Sequence, residues 1–197
     1  MHESEIEIDH QQEKEASILK SFTLAGIPKE FHAKSESLSK HGWLGEKIFE
    51  EVNSGELLRR LSEGEGYYFE GDQPEMRAIY SLTCRAALLS HLSVRSFSLP
   101  TFLKIISDTG GYDEIWREIL SARVIALSGF FDPSIKPLTH AEIWRIEWTI
   151  RDLSDCGAAF ILHANGPLAL ADWWTTAFRS FLIARMHCYA LTGERSS

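Results

Sequence analysis

Two short apolar runs with an amphipathic segment between them constrain the fold of this chain more than any other feature. The runs are ARVIALSGF (122–130) and AAFILHANG (158–166), and LTHAEIWRIEWTIRDLSDCG (138–157) separates them. Runs this short and this apolar are typical of strands buried on both faces, whereas the separating segment has the 3.6-residue period of a helix. Because parallel strands need a crossover connection, the sequence predicts a parallel sheet covered by helices.

The rest of the chain continues this alternation of strand-like and helix-like segments. YYFEG (67–71) and VRSFS (94–98) have the composition of short strands. Thr139, followed three residues later by Glu142, has the pattern of a capping box at a helix start. Helices are predicted over 41–64, 74–92, 99–108, 112–120, 139–157 and 171–193. We therefore expect a three-layer α/β fold with a mostly parallel central sheet of about five strands and a short helical N-terminal extension.

Length, charge and cysteine content narrow the class of protein. The 197 residues suit one domain, and we divide them into an acidic N-terminal tail (1–22) and a folded domain (23–197). Twenty Lys and Arg against 28 Asp and Glu give a net charge of -8, which opposes sequence-blind attraction to nucleic-acid phosphates. Three cysteines without a CxxC pair give no disulfide framework, and the histidines have no metal-ligand spacing. The cysteine usage predicts a reducing cytoplasm as the location, and no apolar run is long enough to cross a membrane.

The turn after the first predicted strand is where a sheet of this kind usually binds a ligand. A phosphate-binding P-loop there reads Gly, four residues, Gly, Lys and then Ser or Thr, because amides wrap the phosphates, Lys neutralises them and the hydroxyl holds magnesium. The turn in this chain is GDQPEMRAI, and its first residue, Gly71, fits the pattern. Met76 stands at the second glycine, Arg77 at the lysine and Ala78 at the hydroxyl. Pro74 also removes one amide donor.

Several stretches of the chain, taken with their order and spacing, resemble one protein family. They are AGIPKEF, GYYFEGDQPEMRAIYSLTCRAAL, ARVIALSG, ILHAN and AFRSFLIARMHCYALTGE. Over about residues 24–195 the chain resembles the AAA+ domain of bacterial replicative-helicase loaders of the DnaC/DnaI type and of the related IstB transposition helper ATPases. This resemblance implies a AAA+/P-loop-like fold in which the Walker motifs of this chain are degenerate.

Most catalytic positions that the resemblance carries over hold residues of another type. The Walker B acids fall on Ser128 and Gly129, and Asp132 can replace them only if the turn is unusual. The sensor residue after the next strand is matched by Asn165. The degenerate nucleotide pocket that the resemblance implies therefore consists of Gly71, Met76, Arg77, Ala78, Ser128, Gly129 and Asn165.

The arginine finger of the family falls on Phe181, with Arg179 and Arg185 close by in the sequence. Without the lysine, the hydroxyl, the Walker B acids and the finger, every large electrostatic contribution to phosphoryl transfer is missing. We therefore expect no catalytic residue, no ATP or magnesium cofactor, no metal site and no enzymatic activity. Two alternatives stay open: a divergent ATP-binding loader that uses Arg77 and Asp132, and a single-stranded DNA-binding accessory protein.

Four tryptophans, together with the two arginines near the finger position, are the candidate contacts for a partner. Trp144 and Trp148 are four residues apart on one helix, and their shared face either packs against the sheet or forms an exposed interface. Trp173 and Trp174 are adjacent, so we expect neither to be fully buried. The resemblance implies a protein partner in DNA replication or transposition, either the replicative helicase or an active AAA+ loader, and keeps single-stranded DNA as an alternative.

Overall fold

The computed structural model of the chain describes residues 15–32, 37–107, 113–166 and 174–190. The strands are β1 (Gly66–Glu70), β2 (Val94–Ser98), β3 (Val124–Phe130), β4 (Ala159–Ala164) and β5 (Met186–Ala190). The helices are α1 (residues 15–24), α2 (Gly42–Asn53), α3 (Glu56–Ser62), α4 (Pro74–Leu89), α5 (Leu99–Ser107), α6 (Asp113–Ser121), α7 (His140–Asp155) and α8 (Thr176–Arg185). Short 3-10 helices span Lys29–Phe31 and Leu38–Lys40.

The five strands form one sheet in the order β2-β3-β4-β1-β5, and every neighbouring pair is parallel. Successive residues of a strand point to opposite faces, so each strand contributes to two cores. In β1, Tyr67 and Phe69 belong to the core formed with α1–α4, whereas Tyr68 belongs to the core formed with α5–α8. The three-layer α/β fold predicted from the apolar runs is therefore confirmed.

Helix α7 begins at the capping box that the sequence predicts. The Thr139 hydroxyl accepts a hydrogen bond from the Glu142 amide, and the Glu142 carboxylate accepts bonds from the Thr139 amide and hydroxyl, both at 2.7 Å. The helix stops before Gly157, whose φ of 91° lies in the left-handed region that favours glycine. These two signals fix the crossover between β3 and β4.

The long C-terminal helix predicted over 171–193 is wrong beyond Arg185. Helix α8 ends there, and the next five residues form β5, which pairs in parallel with the whole of β1. The buried Tyr189 side chain joins the core on one face of the sheet. An apolar segment this short fits either a helix or a strand locally, so pairing with β1 decides its structure. The predicted end of that helix at Gly193 lies outside the described residues.

The predicted helix over 41–64 is interrupted once. Gly55 has a φ of 76° and separates α2 from α3. Near the N-terminus, α1 continues across the predicted boundary at residue 22, and the Phe22 side chain is buried in the core with α2–α4. The division of the chain into a tail and a domain stays a prediction. Among the described helices, none is both long enough and apolar enough to span a membrane.

Candidate functional site

A cleft of about 550 Å³ opens beyond the carboxyl ends of β2, β3 and β4. Parallel α/β sheets place their ligands at this edge, near the strand where the order of connection reverses. One further wall is the start of α4, and another is the turn over residues 26–31. Of the residues predicted for the nucleotide pocket, the cleft brings together Arg77, Ser128, Gly129 and Asn165.

The loop between β1 and α4 is short and closed. Only residues 71–73 separate the strand from the helix, and α4 begins with Pro74. The amides of Met76 and Arg77 both donate to the carbonyl of Gln73, at 3.0 and 3.3 Å, so they already belong to the first helical turn. The Met76 side chain is 0% exposed and packs in the core. Met76 and the buried Ala78, both predicted for the nucleotide pocket, therefore do not line the cleft.

Gly71 is held against β4 through both of its backbone polar groups. Its amide donates to the Ala164 carbonyl at 2.9 Å, and its carbonyl accepts a bond from Nε2 of His163 at 2.9 Å. Burial, with a smaller contribution from the Arg77 guanidinium, lowers the pKa of His163 and favours the neutral ring. Because both groups of Gly71 are occupied, the loop has no free backbone group at this position for a phosphate.

His163 and Tyr80 line the cleft, and sequence reasoning did not select either as a site residue. Their rings lie 5.6 Å apart between centroids, and the Tyr80 hydroxyl is 3.3 Å from the Ser96 hydroxyl. A polar residue at the end of an apolar strand was the available signal for His163. Tyr80 gave no signal, because a tyrosine in a predicted amphipathic helix is ordinarily a core residue.

The turn after β3 has an unusual backbone that brings a carboxylate to the cleft. The pairing of β3 with β4 shifts register between Ser128 and Phe130, Gly129 has a φ of 91°, and Phe131 has a φ of 59°. A left-handed conformation is rare for a non-glycine residue and is found mostly at tight turns and functional sites. Two residues past the strand end, Asp132 lines the same cleft as Arg77.

The Asp132 carboxylate also accepts hydrogen bonds within its own turn. Its Oδ1 accepts bonds from the Ser134 amide at 2.9 Å and from the Ser134 hydroxyl at 2.7 Å. These two bonds, helped by the Arg77 charge, lower its pKa, so the carboxylate is ionised at neutral pH. Among the described residues there is no group of three or more His, Cys, Asp or Glu side chains that could hold a metal ion.

The residues of the β1–α4 loop and the start of α4 do not fit an ATP–magnesium complex. Such a complex needs a wide loop of free amides, a cation and a hydroxyl at the start of the helix. The loop at residues 71–73 is too short to wrap a triphosphate, and the amides that follow it are bonded within the helix. Position 78 is a buried alanine, so no hydroxyl is available for magnesium there.

The tryptophans predicted as partner contacts separate into exposed and buried positions. Trp144 is 59% exposed and Trp148 is 51% exposed, and their rings lie 5.6 Å apart, so this pair does not pack against the sheet. Trp174 is only 4% exposed, because it packs among aromatic rings that include Phe130 and Phe178. The prediction that Trp174 is an accessible contact is therefore wrong. Trp173 lies outside the described residues.

The arginines of α8 lie outside the cleft. Arg185 donates to the Ser154 hydroxyl at 3.2 Å and stacks over the Phe181 ring at 5.5 Å. Arg179 is near its own helix start, with Nη2 at 3.5 Å from the Thr176 hydroxyl. Both belong to the α7–α8 side of the molecule, together with the exposed tryptophan pair on α7.

Comparison with known proteins gives matches in structure but not in sequence. No protein-family profile and no curated protein sequence matches the chain. The crystal structure of the DnaC helicase loader superposes with a TM-score of 0.64 at 14% identity, over 83% of this chain and 99% of that one. DnaI superposes with a TM-score of 0.59 at 12% identity, over 86% and 94% of the two chains.

AMPPCP-bound DnaA from Aquifex aeolicus also superposes, with a TM-score of 0.61 at 13% identity. The match covers 80% of this chain but only 50% of the DnaA chain, so the chain spans about half the length of that protein. At sequence identities this low, a structural superposition shows a shared fold and nothing about function. The superpositions on DnaC and DnaI, together with the parallel five-stranded sheet, establish that this chain has the fold of the AAA+ domain of the DnaC/DnaI type.

Proposed function

We propose that this chain is a helicase-loader-like protein that has lost ATP hydrolysis and acts in DNA replication or transposition by binding another protein. Its partner is the replicative helicase or an active AAA+ loader. The fold neighbours support this role, since one is described as a helicase loader and others are DnaI and DnaA. The loss of hydrolysis rests on the residues of the cleft.

The closed loop between β1 and α4 is the observation that carries the proposal. A phosphate-binding loop works because its amides are free and converge on the anion. Here both backbone groups of Gly71 bond to β4, and the Met76 amide bonds to Gln73. Opening this loop for a triphosphate would break those bonds and expose the buried Met76 side chain.

A divergent nucleotide-binding loader is the second candidate, and the turn after β3 favours it. The register shift and the left-handed Phe131 place Asp132 in the cleft with Arg77. Among the described residues that line the cleft, Arg77 stands at the position of the Walker lysine, and Asp132 is the carboxylate that follows β3. Nucleotide binding through them would have to proceed without the amide cradle.

Thermal unfolding with and without millimolar ATP and magnesium separates the two candidates. We expect no change in Tm, because a ligand stabilises a fold only when it binds the native state. An Arg77→Ala variant and an Asp132→Asn variant serve as matched controls for the two cleft charges. A rise in Tm with ATP that disappears in either variant would contradict the proposal and favour a divergent nucleotide binder.

The exposed tryptophan pair on α7 is the surface that we assign to the protein partner. Large aromatic side chains at the centre of an interface contribute much of its binding energy. We expect the double substitution Trp144→Ser and Trp148→Ser to weaken binding of the replicative helicase of the source organism about 10-fold to 100-fold. Surface plasmon resonance with the purified proteins measures this change.

Trp43 supplies the control for that experiment. It is 49% exposed, close to the 51% of Trp148, and it lies on α2, away from α7. Trp43→Ser therefore removes about as much exposed aromatic surface as the single substitution Trp148→Ser, with which it is compared. Equal losses in the two variants would contradict a specific role for the α7 pair. Salt-dependent binding of single-stranded DNA that is lost only in the α7 variant would assign this surface to nucleic acid.

A further inference from the structure

The two edges of the sheet differ in how their backbone groups are bonded. At the β2 edge, the Ser96 amide donates to the Ala25 carbonyl at 2.8 Å, so the segment after α1 lies along that strand. At the other edge, the inner side of β5 pairs with β1 over all five residues. Among the residues that the structure describes, no backbone bond joins β5 to any segment other than β1. The outer side of β5 is therefore an unpaired strand edge.

The sequence of β5 carries none of the features that keep an edge strand from pairing. Charged side chains, prolines and bulges are the usual protection, because each of them opposes the approach of a second strand. β5 reads MHCYA, without Lys, Arg, Asp, Glu or Pro, and its register with β1 is continuous. An edge of this kind is a template on which another strand can pair.

The strand β5 is complementary to a second copy of itself. Antiparallel pairing of two β5 strands, centred on Cys188, uses all five residues of each strand. Met186 then lies opposite Ala190, and both of these side chains are uncharged. His187 lies opposite Tyr189, and facing rings of this kind are favourable cross-strand pairs. No two Lys, Arg, Asp or Glu side chains of the strands face each other, so the pairing has no like-charge repulsion of that kind to overcome.

Helix α8, which connects β4 to β5, adds an exposed apolar side chain on the same side of the molecule. Its Phe181 ring lies 5.4 Å from the Arg151 guanidinium of α7. One turn later, Arg185 bonds to Ser154 of the same helix, so this side of α8 faces α7. Ile183 lies about half a turn from both Phe181 and Arg185, and it therefore points away from α7, toward the β5 edge. Its side chain is 58% exposed.

We propose that two copies of this chain associate through β5, paired antiparallel about a two-fold axis, so that their two five-stranded sheets join into one. The axis is perpendicular to the sheet, so both α8 helices lie on the same face and the two Ile183 side chains approach each other across it. Two five-residue strands and two helix faces form less than a standard interface of about 1,600 Å², so the dimer is weak. The inference does not depend on the proposed function, because β5 and α8 lie outside the cleft.

Sedimentation velocity and hydrogen exchange, both on the purified chain, test this inference. From micromolar to near-millimolar concentration, we expect the sedimentation coefficient to rise toward that of a dimer. Over the same range, amide exchange measured by mass spectrometry should slow in the peptide that contains β5, because the outward amides gain acceptors. A chain that stays monomeric, or a dimer in which the exchange of β5 is unchanged, would overturn the inference.

The substitution Ile183→Lys opposes the pairing, because it brings two like charges together near the axis. We expect it to weaken the dimer about 10-fold or more. Leu24→Lys is the matched control, since Leu24 is 60% exposed and ends α1 beside the β2 edge. Melting curves show whether both variants are folded, and equal weakening by the two would overturn the inference. Slower exchange of β5 only after the replicative helicase is added, in a chain that is otherwise monomeric, would instead assign the edge to a strand of that partner.

Discussion

Replacing Glu51 with alanine is expected to lower the free energy of unfolding by about 2–4 kcal/mol. Glu51 is 8% exposed and accepts bonds from the hydroxyls of Tyr67 at 2.7 Å and Tyr189 at 3.0 Å, while Arg60 lies 3.3 Å away. These contacts connect α2 and α3 to the neighbouring strands β1 and β5. Removing the carboxylate would leave two buried hydroxyls without their acceptor.

The expected loss stays below the full cost of an orphaned buried charge. Arg60 keeps its bond to Glu56 at 2.8 Å, so its guanidinium retains a carboxylate partner in the variant. Burial, together with the bond to Glu51, raises the pKa of Tyr67 and of Tyr189, so both hydroxyls remain protonated donors across the neutral range. The energetic cost therefore comes from the tyrosine hydroxyls and the lost packing of the Glu51 stem.

Urea unfolding followed by circular dichroism measures the Glu51→Ala effect. Glu50 is the natural control, because it is the adjacent residue of α2 and is exposed. Glu50→Ala should change the free energy of unfolding by less than about 0.5 kcal/mol. A loss below about 1 kcal/mol in Glu51→Ala would mean that the buried network contributes almost nothing net to stability.

The sequence was sufficient to predict four of the five strands, because each of them follows a local signal. The runs over 124–130 and 159–164 are apolar enough to be buried on both faces, and Thr139 with Glu142 marks the helix between them. The segment over 186–190 has no such signal. It becomes a strand because β1 offers an unpaired edge, and that long-range partner cannot be read from five residues.

Only part of the candidate site could be predicted, because the remaining positions depend on long-range packing. Position in the P-loop pattern predicted Arg77 at the cleft, and the family resemblance predicted Ser128 and Asn165 there; all three line it. The P-loop pattern did not predict that the Met76 side chain is buried, because its burial depends on where α4 begins. The exposure of Trp174 was predicted wrongly. Adjacent residues point in different directions, but the sequence does not say which of the two side chains packs into the aromatic core, where Trp174 contacts Phe178.

Restoring the P-loop pattern with Met76→Gly, Arg77→Lys and Ala78→Thr is expected to destabilise the protein without creating an ATP site. Met76 is 0% exposed in the third position of α4, so glycine would leave a cavity and weaken the helix. The combined cost is about 3–6 kcal/mol. Threonine at the buried position 78 would add further strain. Urea unfolding measures the loss, and isothermal titration with ATP and magnesium tests for binding.

The single substitutions Met76→Leu and Arg77→Lys are the controls for this restoration. Met76→Leu keeps the side-chain volume and should cost less than about 1.5 kcal/mol, and Arg77→Lys changes only an exposed side chain. A restored variant that remains as stable as the parent chain and binds ATP would contradict the closed-loop interpretation. It would mean that the side chains at positions 76, 77 and 78 alone prevent this cleft from binding ATP. Loss of stability without ATP binding would mean that the short backbone between β1 and α4 excludes the triphosphate, because the bonds of Gly71 to β4 do not depend on the side chains that were changed.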